Sequence, residues 1–448
     1  MIMTKMLRLE VISAQIVKPS SPTPQHLRRY NLSFLDQITP QVNNSMVYFF
    51  DAAAQKFDII DISDRLKRSL SQVLTQYYPL AGRLMAKNLT VECNDEGVPY
   101  TEARVRCRLS HVIDDPSPAD VGELLPFKMD EAVDTVLGVQ FNVFECGGMA
   151  IGICISHKIA DALSYFQFVK SWATVTRGGN PEHITTHFES SALFPPKHMP
   201  GYDPDCLVPK EKIVCNRFVF EASAVESLRS KYSEKVAKNI LEGQKPPSRV
   251  EVLSTFIWTR FLEATKGEEE EEEGSKKKKI QLVAWAANLR PRMDPPLPEY
   301  AFGNYYWPMR TFPTLDEKGE CHDMGRKLRE ELNKMDKGFI AKLRECEQWN
   351  PQQKKEEMVR STGGGEEGEI AAFAFSSLCW FPVYEVDFGW GNPTWVGPPT
   401  WKFKNVVTFK DTKSSGGIEA YVSLTEEDMA KFEHDEQLLA HVSTAGLK

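Results

Sequence analysis

The strongest pattern of apolar and polar positions lies between Met149 and Trp172. Ala150 to Ile155 is an almost unbroken apolar run, short, rich in isoleucine and preceded by two glycines. That composition predicts a strand buried on both faces. The run stops at Ser156. Beyond it, Ala162, Phe166, Val169 and Ala173 recur at helical spacing, with Asp161 at or near the helix start. His157 therefore falls where a core strand ends and a helix is about to begin, a place where rigid scaffolds display binding groups.

On the N-terminal side, residues 7 to 17 alternate loosely and read as a first strand, followed by an extended turn from Pro19 to Pro24. Asp61 or Ser63 can cap a helix lined by Leu66, Leu70, Val73, Leu74 and Tyr77, which Pro79 and Gly82 end. Short strands are expected over residues 89–93, 102–109 and 135–146. Strands mixed with helices indicate an α/β architecture. Patterning dissolves after Trp172: residues 178–205 are rich in Pro, Gly, His and Ser, and order resumes at Val214. We place a crossover at 198–213, with one domain over 1–197 and another over 214–448. The second half predicts helices over 222–237, 250–264 and 323–346, and strands over 280–286, 371–375 and 406–409. A final helix carries Met429, Phe432, Leu438 and Leu439, with Thr425 and Asp428 in an imperfect capping arrangement. The glutamate and lysine blocks from Glu268 to Lys279, and the glycine-rich stretch 362–369, read as solvated inserts.

A chain of 448 residues suits two domains, and 42% hydrophobic with 26% charged residues is ordinary for a soluble globular protein. The net charge of −8 argues against a nucleic-acid surface. Nine scattered cysteines without a C-x-x-C pair favour free thiols in a reducing compartment over disulfides or a zinc site. No apolar leader or membrane-length run is visible, so a cytoplasmic protein working without a membrane or nucleic acid is expected.

His157-x-x-x-Asp161 admits two readings. In one, His157 is a hydrogen-bonded turn residue and Asp161 an N-cap; in the other, His157 is a general base, since a neutral imidazole takes a proton at cellular pH. Nothing local decides between them. A distant motif does: Asp387-Phe388-Gly389-Trp390-Gly391, followed by Asn392-Pro393. With H-x-x-x-D at mid-chain, this pair resembles the signature of the plant BAHD acyltransferases. The resemblance extends to Lys18–Pro24, Leu32–Gln37, Tyr78–Arg83, Asn288–Met293, Pro295–Pro298 and Phe302–Asn304, and so covers nearly the whole chain. Within that family the chain is most similar to the branch of alkaloid and alcohol acetyltransferases that includes vinorine synthase.

The resemblance implies two similar-sized mixed α/β domains of chloramphenicol-acetyltransferase-like fold, joined by the crossover, with an active-site channel between them. It implies a monomeric enzyme that moves an acyl group, most simply acetyl, from acyl-CoA to a hydroxyl of a small specialised metabolite, with no metal and no permanently bound cofactor. His157 takes the role of base. Asp161 pairs with Arg290 across the two halves, and Asp387, Gly389 and Gly391 are structural, the glycines suiting a tight turn. Asp36, Asn304, Leu378 and Trp380 fall to the substrate pocket, and Ser254, Ser376 and Ser377 to the acyl-CoA site. One departure stands out. Where the family pattern S/T-S-W-x-R carries a tryptophan whose indole N–H is a proposed oxyanion donor, this chain has Ser376-Ser377-Leu378-Cys379-Trp380. A lost oxyanion donor costs ~2.7–4 kcal/mol of barrier. Asn304 or Ser377 could substitute, or the pocket could serve an unusual acceptor. Another donor (malonyl, benzoyl), an amine acceptor, or a binding homologue without turnover remain alternatives; the intact His157 and Asp161 count against the last.

Overall fold

Eight residues without a charge, one of them a glycine, need cover on both sides, and Met149–Ser156 is buried along its whole length. A side chain at Gly152 would meet the Leu124 carbonyl oxygen at 2.1 Å, so only glycine lets the overlying segment come that near. These features belong to a computed structural model that describes residues 7–51, 58–85, 89–131, 133–200, 202–204, 209, 211–237, 246–266, 279–316, 319, 321, 323–345, 369–414 and 416–443. The inserts 268–279 (but for Lys279) and 362–369 (but for Glu369) lie outside them.

Two six-stranded mixed sheets organise the described chain. The first runs, edge to edge, Leu9–Val17, Val98–Val105, Leu137–Phe144, Met149–Ser156, Asn43–Phe50 and Trp395–Gly397. The second runs Tyr306–Thr311, Lys279–Asn288, Glu369–Ser377, Val406–Asp411, Ile418–Thr425 and Ile213–Phe220. Helices pack on both. Ile59–Gln76 turns Ile62, Leu66, Leu70, Val73 and Leu74 inward and packs against Ala162–Thr176, which fills the space beside it with Phe168 and Trp172. In the second half, Arg249–Ala264 begins in a capping box between Ser248 and Glu251 and buries Val252, Phe256, Ile257 and Trp258.

The strand–helix unit at Met149–Thr176 and the helices at 222–237 and 249–264 agree with the periodicity. Three details differ. The first long helix is capped by Asp58, whose carboxylate accepts from the Ile60 N–H, rather than by Asp61 or Ser63. The expected helix 323–346 is two helices, Met324–Lys334 and Lys337–Glu345, because Asp336 accepts from the Phe339 N–H and starts a new one. The last helix is likewise split at Asp435, which caps Glu436–Leu439.

The two halves are interleaved. Trp395–Gly397 pairs antiparallel with Asn43–Phe50, so a segment from late in the chain completes the first sheet. Phe302, Leu378, Phe388 and Trp390 sit in the first half's apolar core, while Phe34, Leu35 and Phe194 sit in the second's. This interleaving sets groups from both halves around the end of the central strand. Among the described residues, no helix is long and apolar enough to cross a membrane.

Candidate active site

His157 follows directly on the central strand. Its backbone N–H donates to the Val42 carbonyl at 2.8 Å, and Asn44 Nδ2 donates to the Ala160 carbonyl at 2.8 Å, pinning the His157–Asp161 turn to the neighbouring strand. The imidazole is half-buried. Its Nδ1 lies 3.2 Å from Asn304 Oδ1, and its ring centroid is 5.6 Å from that of Tyr306. Asn304 and Tyr306 come from the second half, so the histidine stands where the halves meet. Burial lowers its pKa below the usual histidine value; the nearby Asp161 carboxylate and the Asn304 contact oppose this without reversing it. A neutral imidazole at pH 7 follows, the form a base requires.

Asp161 does two jobs. It is the N-cap of Ala162–Thr176, accepting from the Ser164 N–H at 2.9 Å, and it takes both arms of Arg290 at 2.7 and 3.1 Å. It also accepts from the Tyr305 N–H at 3.0 Å. Arg290 is enclosed further by the carbonyls of Ala301 and Gly303, the Ser164 hydroxyl and the Tyr305 ring, 4.7 Å from the guanidinium carbon. Burial pushes the Asp161 carboxyl up, but Arg290 and the two amide donors outweigh it and hold it below the usual carboxylate range. With both oxygens engaged, this carboxylate has no lone pair to steer the histidine. It ties residues 161–164 to 290–305 instead.

The D-F-G-W-G motif closes on itself. Asp387 Oδ1 accepts from the Gly389 and Gly391 N–H groups at 2.7 and 2.9 Å, and both glycines hold positive φ, +112° and +99°. The turn drives Phe388 and Trp390 into the first core, where Phe388 meets Trp172 edge-on at 5.0 Å and both rings meet Phe50. Asp387 lies 3.7 Å from Arg177 at the end of the helix that Asp161 begins.

The remaining candidates scatter. Asp36 is fully buried in a capping box with Ser33 and accepts from Asn304 Nδ2 at 2.8 Å; burial pushes its carboxyl up to about 6. Leu378 is buried in the first core. Ser376 and Ser377 end the Glu369–Ser377 strand half-buried, and Ser377 Oγ accepts from the Cys379 N–H at 3.2 Å. Two expectations need correction. Ser254 is fully buried and receives the Trp285 indole N–H at 3.3 Å, so it presents no face to a co-substrate. Trp380 does not wall an enclosed pocket: the residue is 84% exposed, at a φ of +72°, with the Arg249 guanidinium 4.8 Å from the ring, and its backbone N–H donates to Asp411. Tyr306 escaped the sequence reading, although its position two residues after Asn304 put it on the same side of an extended chain.

A family model described as the Transferase family matches residues 7–439. The chain belongs to the BAHD transferases. It is 35% identical to a limonoid 21-O-acetyltransferase of Citrus sinensis over 97% of this chain and 98% of that one. It is also 35% identical to stemmadenine O-acetyltransferase of Catharanthus roseus, over 96% and 97% of the two chains. The crystal structure of vinorine synthase superposes with a TM-score of 0.77 at 32% identity, covering 98% of this chain and all of that one. This BAHD protein is an acyltransferase, with the mixed α/β fold of that family.

Proposed function

We propose that the protein transfers an acetyl group from acetyl-CoA to a hydroxyl of an alkaloid or terpenoid alcohol, with His157 as general base and the channel between the two halves as the reaction site. The observation that carries this reading is the half-buried imidazole of His157, placed by the first half and contacted by Asn304 and Tyr306 of the second. The relatives named above are O-acetyltransferases of a limonoid and of stemmadenine, which supports O-acetyl transfer to an alcohol here.

The step needs few parts. Nε2 of His157 takes the acceptor's hydroxyl proton as its oxygen attacks the thioester carbonyl carbon. The tetrahedral intermediate collapses, the C–S bond breaks, and the leaving CoA sulfur takes the proton from the imidazolium. Ester and free CoA result, with no covalent enzyme intermediate. Charge on the thioester oxygen calls for a donor. Leu378 has none, and both N–H groups of Asn304 are engaged by Asp36 and by the His157 carbonyl. Ser377 is then the better of the two substitutes. Asp161 and Arg290 hold the walls in register, and the segment 198–213 joins the domains.

The test is direct. The purified protein is incubated with acetyl-CoA and a panel of alkaloid and terpenoid alcohols, and products are read by mass. Addition of one acetyl to an alcohol supports the reading. Acetylation of amines alone, or transfer only from malonyl- or benzoyl-CoA, overturns it.

A further inference from the structure

Asn304 has a fixed orientation that carries a consequence for the base. Its Nδ2 faces two acceptors, the His157 backbone carbonyl at 2.6 Å and Asp36 Oδ1 at 2.8 Å. A carbonyl oxygen can only accept, so the amide nitrogen must lie on that side and Oδ1 must face the imidazole, 3.2 Å from Nδ1. Nδ1 then carries the proton. The lone pair is left on Nε2, pointing away from the relay. Behind Asn304, Asp36 is itself held: its other oxygen accepts from the Ser33 N–H and the Ser33 hydroxyl, both at 2.7 Å.

We propose that Asp36 is a positioning residue at the far end of a His157–Asn304–Asp36 relay, acting through Asn304 to hold the imidazole in the tautomer that leaves Nε2 free. This rests on His157 being the base. The carboxylate does no proton chemistry. It fixes the amide's direction, and its charge, passed through the polarised amide, favours the imidazolium that forms when the acceptor is deprotonated. Both oxygens of Asp36 are matched to donors, two at Ser33 and one at Asn304.

That match makes Asp36→Asn informative. The new NH₂ must face either the Ser33 N–H or the Asn304 NH₂. Facing Asn304, it opposes that amide's own NH₂, while a flip would turn Oδ1 onto the His157 carbonyl; either way the amide is displaced and its hold on the Nδ1 proton weakens. Other ionisable groups surround the relay. Burial keeps the phenols of Tyr30, Tyr305 and Tyr306 neutral, Arg290 holds Asp161 ionised, and Lys158 Nζ lies 3.4 Å from the Asp36 and Gln37 carbonyl oxygens.

The experiment pairs kinetics with spectroscopy. In Asp36→Asn, kcat with acetyl-CoA and an accepted alcohol should fall about 100-fold, the lower end of what a positioned base contributes. Both KM values should hold, and the rising limb of kcat/KM against pH should move to lower pH as the carboxylate's charge is lost. A wild-type kcat overturns the proposal, as does a loss in which kcat and KM change together with an unmoved limb. Long-range ¹H–¹⁵N correlation on the histidine-labelled wild type gives a second readout that needs no variant. An Nδ1–H imidazole is expected for His157, and Nε2–H overturns the relay even if Asp36→Asn does not fold. If the wild type acetylates no alcohol, the functional reading fails while the tautomer still decides the relay.

Discussion

Burial of the His157 ring penalises the imidazolium more than Asp161 and Asn304 favour it, so this imidazole, the base we propose, titrates below the ordinary histidine value of 6.5. The profile of kcat/KM against pH should therefore rise along a limb whose midpoint lies below 6.5, and a midpoint above that value would contradict the account. Leu378 poses a separate question of space. It lies in the first core, against which the half-buried Phe381 packs with its ring tilted toward Phe166 at 5.2 Å. Leu378→Trp adds volume to a filled site, which costs about 1–3 kcal/mol. A lower Tm and a raised KM for a bulky acceptor are expected, with transfer to a small test alcohol less affected. An unchanged Tm would mean the cluster has room. At this scale the sequence motifs located residues but not the directions of their side chains. Asp161 and Arg290 meet as the resemblance implied, because opposite charges leaving water together must find one another. Ser254 turns inward to an indole and Trp380 outward to Arg249, and nothing in a linear motif records either rotation.

The element that begins at Asp161 depends on one carboxylate for both its cap and its tie to the second half. Asp161→Ala and Arg290→Ala should each cost about 3–5 kcal/mol, since either change leaves a buried charge unpaired. The double variant should lose less than the sum of the two. Strictly additive losses in denaturant unfolding would show that the residues are not coupled. The pH sign follows from the lowered Asp161 pKa. Its stabilisation is complete above the unfolded value near 3.8 and is lost as pH falls through the lower folded value. The wild type, but not Asp161→Ala, should show this acid-dependent loss below about pH 4. Elements differ in how readable they are from sequence. Met149–Ser156 declares itself by composition. Asn43–Phe50, its partner, opens with Asn43, Asn44 and Ser45, which look like a loop until Lys128, Ala160 and Cys154 are brought round to bond them. Trp395–Gly397 has only three residues and flanking prolines, too few for any period.

Over the whole molecule, the late crossing strand joins the two sheets chemically as well as topologically. Trp395, paired into the first sheet, donates its indole N–H to Glu419 at 3.2 Å in the second. Glu419 is fully enclosed and also receives Tyr421 at 2.6 Å, Arg217 at 3.1 Å and Lys410 at 3.3 Å. Burial pushes its carboxyl up, but Lys410 and Arg217 reverse that and keep it ionised. Glu419→Ala strands two cations, and a loss of about 3–5 kcal/mol should appear in thermal melting, well beyond that of an exposed pair such as Lys212–Glu426. Equal losses at the two sites would mean the crossing carries no special weight. The two-sheet architecture itself is readable from the alternation of strands and helices, whereas the interleaving of the cores is not, because it depends on contacts separated by hundreds of residues. Groups from both halves meet at one imidazole, the base we propose. The most direct test is His157→Ala, assayed with acetyl-CoA and an accepted alcohol beside its melting curve. The account predicts transfer reduced by about 10²–10⁴-fold, what a positioned base supplies, with an unchanged Tm. Activity within a few-fold of wild type in a fully folded variant would show that the base lies elsewhere.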